Sequence, residues 1–127
     1  LTHATSYQVG GTHYQNLGVQ PIEFAMANKW DSGAFSVLKY LTRHRSKNGV
    51  EDLRKASHFV ELRLNFIEHA DVPLQVLPMS RYIHANGIGD TSVDATALMT
   101  LEAWVHGRVG AYTLTGIIDL LIKEYEA

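Results

Sequence analysis

The 127-residue chain has no cysteine, three prolines and no long hydrophobic run. The first absence excludes disulfides, thiolate nucleophiles and cysteine-based zinc sites in one step. It also fits a reducing compartment, so a cytoplasmic location is expected. No stretch approaches the roughly 18–20 apolar residues that a membrane-spanning helix needs, and residues 1–20 are polar and Gly-rich, without a signal-peptide pattern. No membrane partner is expected. A strong charge of one sign is missing too. The net charge of −2 argues against a general nucleic-acid coat but leaves room for a local basic pocket. The seven histidines are scattered and form no HExxH pair, so no metal site is assigned.

What is present is an ordinary globular composition, 46% hydrophobic and 19% charged, in a chain long enough for one compact domain or two small helical subdomains. Gly10-Gly11-Thr12 and Asn16-Leu17-Gly18 mark an N-terminal Gly-rich loop. Pro21 suits a first helical position and opens a short helix over about 21–29. Ser32 can cap a second helix over 33–46, ended by Asn48-Gly49. Leu53, Ala56, Val60, Leu64 and Ile67 recur at spacings of three and four, which predicts a third helix over 50–69. Its short connection to the second predicts an antiparallel hairpin. Residues 70–89 read as a linker with one helical turn around 79–85. Asp90 or Thr91 is expected to cap a helix over 92–107, and Thr113 or Thr115 to cap the last, over 113–125. The expected fold is all-α: a small bundle of two helical hairpins, divided into residues 1–70 and 71–127.

The densest chemistry lies in residues 39–56, which hold Lys39, Arg43, Arg45, Lys47, Arg54 and Lys55 with Glu51, Asp52 and the Gly49 turn. Lys39 and Arg43 are four apart and share a helical face. With Arg45 and Lys47 they can clamp a phosphate, Arg through a fork of donors and Lys as a mobile charge. The plainer reading is a solvated face that forms ion pairs with Glu51 and Asp52. Those acids suit a helix start, and Glu51 can pair with Lys55; beside a phosphate they can also hold magnesium. In the N-terminal loop, Tyr14 can stack on a base and His13 can bond a phosphate.

Gly11-Thr12-His13-Tyr14, Gln20-Pro21-Ile22-Glu23, Lys39-Tyr40 with Arg43, and Lys47-Asn48-Gly49-Val50-Glu51-Asp52-Leu53 with Lys55-Ala56 stand in an order and spacing that resembles the phage SaV-like nucleotide kinase family. The resemblance spans residues 10–66. It departs at Phe35-Ser36, where that family usually has Gly-Asn. It implies a phage protein acting in the host cytoplasm on a small nucleotide. One implied activity is a (deoxy)nucleoside monophosphate kinase using magnesium and ATP, with Asp52 and Glu51 as its catalytic acids. No GxxxxGK[ST] phosphate loop accompanies it. The alternative is a cofactor-free sponge that sequesters a nucleotide immune signal, such as a cyclic oligonucleotide or an ADP-ribose derivative. A third reading, an all-α pyrophosphohydrolase, needs paired ExxE and ExxD motifs that Glu51, Asp52, Glu61 and Glu68 do not reproduce. Residues 109–122 carry one charge, Asp119. An apolar helix of this kind predicts homo-oligomerisation through 92–125, or else a private core over the first hairpin.

Overall fold

The computed structural model describes residues 17–66 and 75–127. Among these residues the chain is all-helical: α1 (Pro21–Ala27), α2 (Ser32–Arg43), a 3₁₀ turn (His44–Ser46), α3 (Val50–Phe66), α4 (Met79–Ala85), α5 (Val93–Val105) and α6 (Ala111–Glu126). His13 and Tyr14 lie outside the described residues.

Local chemistry sets the boundaries, and several caps differ from expectation. Gln20 and Glu23 close a reciprocal capping box around Pro21 at the start of α1. Asp31, not Ser32, caps α2, its carboxylate accepting from the Ala34 amide at 2.9 Å. A carboxylate also suits the helix dipole there. Ser92, rather than Asp90 or Thr91, caps α5. Gly110 precedes α6, which places Thr113 and Thr115 inside the helix. Helix α2 stops at Arg43, three residues short of the expected end, because the chain tightens into the 3₁₀ turn. Gly49 then takes φ +55°, the left-handed geometry glycine adopts without a Cβ penalty.

Helices α2 and α3 run antiparallel. Asp31 meets Arg63, Tyr40 meets Phe59 and Arg43 meets Asp52, so one helix ascends as the other descends. Their inner faces contribute Val37, Leu38, Leu41, Leu53, Ala56 and Val60 to the core. The second half packs onto the same core, α5 against α2 and α6 against α3. Leu114, Ile118 and Leu121 of α6 are fully buried there. The apolar stripe that predicted oligomerisation is therefore largely used within the chain. Helices on both sides of residue 70 share one continuous cluster.

Polar side chains fix the remaining pieces. Asn28 is fully buried. Its amide oxygen accepts from the amides of Val76 and Leu77, and its Nδ2 donates to the Leu77 carbonyl. Asn86 does the same for Val19, accepting its N–H at 2.8 Å and donating to its carbonyl at 2.9 Å. Gly18 passes so close to Ala85 that a Cβ would lie 2.2 Å from the Ala85 carbonyl oxygen, so no larger residue fits.

Candidate functional site

The outer face of the α2–α3 pair gathers cations around one aromatic ring. Tyr40 of α2 stacks on Phe59 of α3, with centroids 5.8 Å apart and planes at 25°. Lys39 Nζ lies 4.6 Å from the Tyr40 centroid, the Arg43 guanidinium carbon 4.7 Å and Lys55 Nζ 5.7 Å. Each is within cation–π range. Lys39 and Arg43 thus share a face as their spacing predicts, and Lys55 joins them from the neighbouring helix.

Two acids moderate this charge by different means. Asp52 is fully buried. Its Oδ1 lies 3.2 Å from Arg43 Nη2, and its Oδ2 accepts from the Asn48 amide at 3.2 Å. Asp52 therefore orients Arg43 and closes the turn, with both oxygens engaged. Glu51 stays in solvent, 65% exposed, and meets Lys55 at 3.6 Å one turn along α3. Such an exposed i,i+4 pair contributes only about 0.3–0.5 kcal/mol and is easily displaced.

Arg45 does not belong to this cluster. The 3₁₀ turn carries it toward the second half of the chain, where its Nε donates to Asp94 Oδ2 at 2.8 Å and its Nη2 to Glu124 Oε2 at 2.8 Å. Lys47 stands exposed in the turn. Of the four expected clamp residues, then, the structure brings together Lys39 and Arg43.

His44 anchors the second network. It is 1% exposed, its Nε2 lies 2.5 Å from Asp94 Oδ1, and its Nδ1 lies 2.8 Å from the Tyr125 hydroxyl. Burial pushes the Asp94 carboxyl up, but the hydrogen bonds from His44 and Arg45 outweigh it and hold the group below its ordinary value. Hydrogen bonds to Glu124 and Asp94 push Arg45 further up, and burial pushes the Tyr125 phenol up. The Tyr125 ring also packs on the turn, 3.4 Å from where a Cβ at Gly49 would stand. Both ring nitrogens of His44 have partners, so the network is built to hold rather than to react.

Sequence reasoning missed Tyr40 and Phe59 as the platform, although an aromatic beside Lys39 was a signal. It also missed Asp94, Glu124 and Tyr125, which lie 49 to 81 residues from their partners. Among the described residues, no group of three or more His, Asp or Glu side chains is placed to hold a metal ion. No described helix is long and apolar enough to cross a membrane.

The family described as a protein of unknown function (DUF3310) matches residues 9–61. The chain is similar to that family over α1, α2 and most of α3, where the cationic cluster lies. The match attributes no activity. No curated protein and no solved structure matches the chain.

Proposed function

We propose that this chain is a nucleotide-binding protein whose phosphate site is the outer face of α2 and α3. The observation that carries this reading is the convergence of Lys39, Arg43 and Lys55 on the Tyr40 ring from two helices. Arg43 is aimed by a buried carboxylate, and the ion pair of Lys55 with Glu51 is exposed and can be replaced by an incoming phosphate. His13 and Tyr14 remain candidate ligand contacts from the N-terminal segment.

The resemblance to the SaV-like phage family makes phosphoryl transfer the first form of this reading. An oxygen of a (deoxy)nucleoside monophosphate would attack the γ-phosphorus of ATP. The bond from that phosphorus to the β,γ-bridging oxygen would break, giving ADP and a nucleoside diphosphate. Magnesium would neutralise charge between the phosphates. Of the two acids expected to hold it, Asp52 does not fit, being buried with both oxygens engaged. Glu51 fits, since magnesium commonly uses one carboxylate together with phosphates and water.

A second reading is sequestration: a phage protein, working in the host cytoplasm, that binds a nucleotide immune signal and releases it unchanged. The commitment of Asp52 to Arg43 and Asn48 favours it, because holding a ligand needs the cations and not a free acid. Assembly of copies would use apolar groups that remain exposed on α6, Tyr112 at 93% and Leu120 at 51%.

Incubation with magnesium, ATP and a panel of nucleoside monophosphates, cyclic dinucleotides and ADP-ribose, followed by mass spectrometry of free and retained fractions, separates the two. Diphosphates formed from monophosphates would establish transfer. A ligand retained and released intact would establish sequestration. Retention of no phosphorylated compound would refute the site.

A further inference from the structure

A groove of about 310 Å³ runs between the start of α2 and the end of α3, lined by Asp31, Ser36, Phe59, Leu62, Arg63 and Phe66 among others. It is continuous with the cationic cluster, because Phe59 both lines the groove and stacks on Tyr40. Along α2, Ser36 stands one turn before Lys39 and Tyr40. Along α3, Phe59 and Leu62 stand one and two turns after Lys55. At about 1.5 Å rise per residue, the groove begins roughly 6 Å from the cations, the scale on which a nucleotide separates its phosphate from its base.

We propose that this groove is the base-binding half of the site, a position that rests on the phosphate reading above. The Tyr40 ring is not available to stack a base, since Phe59 and the cations already surround it. Phe66, by contrast, is 82% exposed on a helix whose other face is core. With Phe59 and Leu62 it offers an apolar wall of the kind on which bases stack. The opposite wall is polar. Ser36 donates to the Ser32 carbonyl at 2.8 Å and keeps acceptor capacity. The Asp31 carboxylate is 32% exposed, with Oδ2 accepting from Arg63 Nε at 3.0 Å and a second lone pair left over. Stacking on one wall and acceptors on the other suit a nucleobase that presents N–H donors along its edge. The groove is mouth-sized rather than enclosed, and its volume lies at the small end of ligand pockets, as expected when the charged end of the ligand is held outside it.

The test is calorimetric titration with the four deoxynucleoside monophosphates and with ribose 5-phosphate, which has the phosphate but no base. Phe66→Ala is expected to weaken the nucleotides about tenfold, as for loss of one stacking partner, and to leave ribose 5-phosphate unchanged. Ser36→Gln, which places a longer polar side chain in the groove, is expected to do the same. The double variant Lys39→Ala with Lys55→Ala is expected to weaken all five ligands alike. Equal loss of ribose 5-phosphate in Phe66→Ala, or no loss of any nucleotide in both groove variants, would overturn the base site while leaving the phosphate site standing. Failure of the unaltered protein to bind any of the five would overturn both.

Discussion

Arg43 and Arg45 are two residues apart and have entirely different partners. Arg43 closes α2, lies over the Tyr40 ring and takes its direction from buried Asp52. Arg45, one 3₁₀ step further, joins His44 in tying α5 and α6 to the end of α2. In the sequence they form one basic run; in space they form two networks with different duties. Around Tyr40, cations stand next to cations with one buried acid that fixes Arg43 and one exposed acid that is easily displaced, an arrangement suited to an anion. Around buried His44, Arg45, Asp94 and Glu124 each meet an opposite charge, although Arg45 and Glu124 remain exposed. Charge density along a chain therefore locates a site only after the helix end is known, because a change from α to 3₁₀ geometry redirects every side chain that follows.

The sharpest way to break this contrast is at its shared hinge. Asp52→Ala removes the partner of a nearly buried arginine, and breaking such a pair costs about 3–5 kcal/mol. Urea denaturation should register that loss, and a change below about 1 kcal/mol would show that Asp52 does not organise the turn. For the same reason Arg43→Ala is a poor probe of binding, since it disturbs the fold. Next in size is His44→Ala, which leaves a cavity and strips Asp94 of one of its two partners, Arg45 remaining; a loss of about 2–4 kcal/mol is expected, with little effect on phosphate affinity once folded. An equal loss of affinity would mean that the two networks act as one.

Acid sharpens the comparison further. Asp94 is held below its ordinary value in the fold, so its contribution is complete above the usual carboxylate range near pH 4. It is lost as pH falls through the lower folded value. Asp94→Asn should flatten the stability curve in that acid window. Smallest in stability and largest in binding is the double change Lys39→Ala with Lys55→Ala. Thermal unfolding should shift by less than the equivalent of about 0.5 kcal/mol, while phosphate affinity falls by at least tenfold. Glu51→Gln, which frees Lys55, should raise the affinity of a metal-free phosphate ligand slightly and depress any magnesium-dependent turnover.

Much of the first half was legible. Leu53, Ala56 and Val60 stand at core positions because their spacing matches the helical period, and Gly49 breaks the chain where a left-handed residue is needed. The shared face of Lys39 and Arg43 followed from the same geometry. Arg45 was misplaced because nothing in Arg43-His44-Arg45-Ser46 announces the tightening into a 3₁₀ turn. Tyr125 and Asp94 were invisible as partners of His44 because hydrogen bonds across 81 and 50 residues leave no periodic trace. Helix caps were assigned one or two residues away from the observed Asp31 and Ser92, since neighbouring Ser, Thr and Asp side chains compete for the same role.

The bond between His44 and Tyr125 has a consequence in time. Asp52 and Arg43 are nine residues apart, so the α2–α3 pair can close early and with little loss of chain entropy. The His44–Tyr125 contact spans 81 residues, and a loop of that length closes late. Contacts absent from the folding barrier govern how slowly a protein comes apart, not how quickly it forms. Tyr125→Phe should therefore leave the refolding rate almost unchanged and accelerate unfolding several-fold. That outcome would make the last turn of α6 what sets the lifetime of the folded molecule.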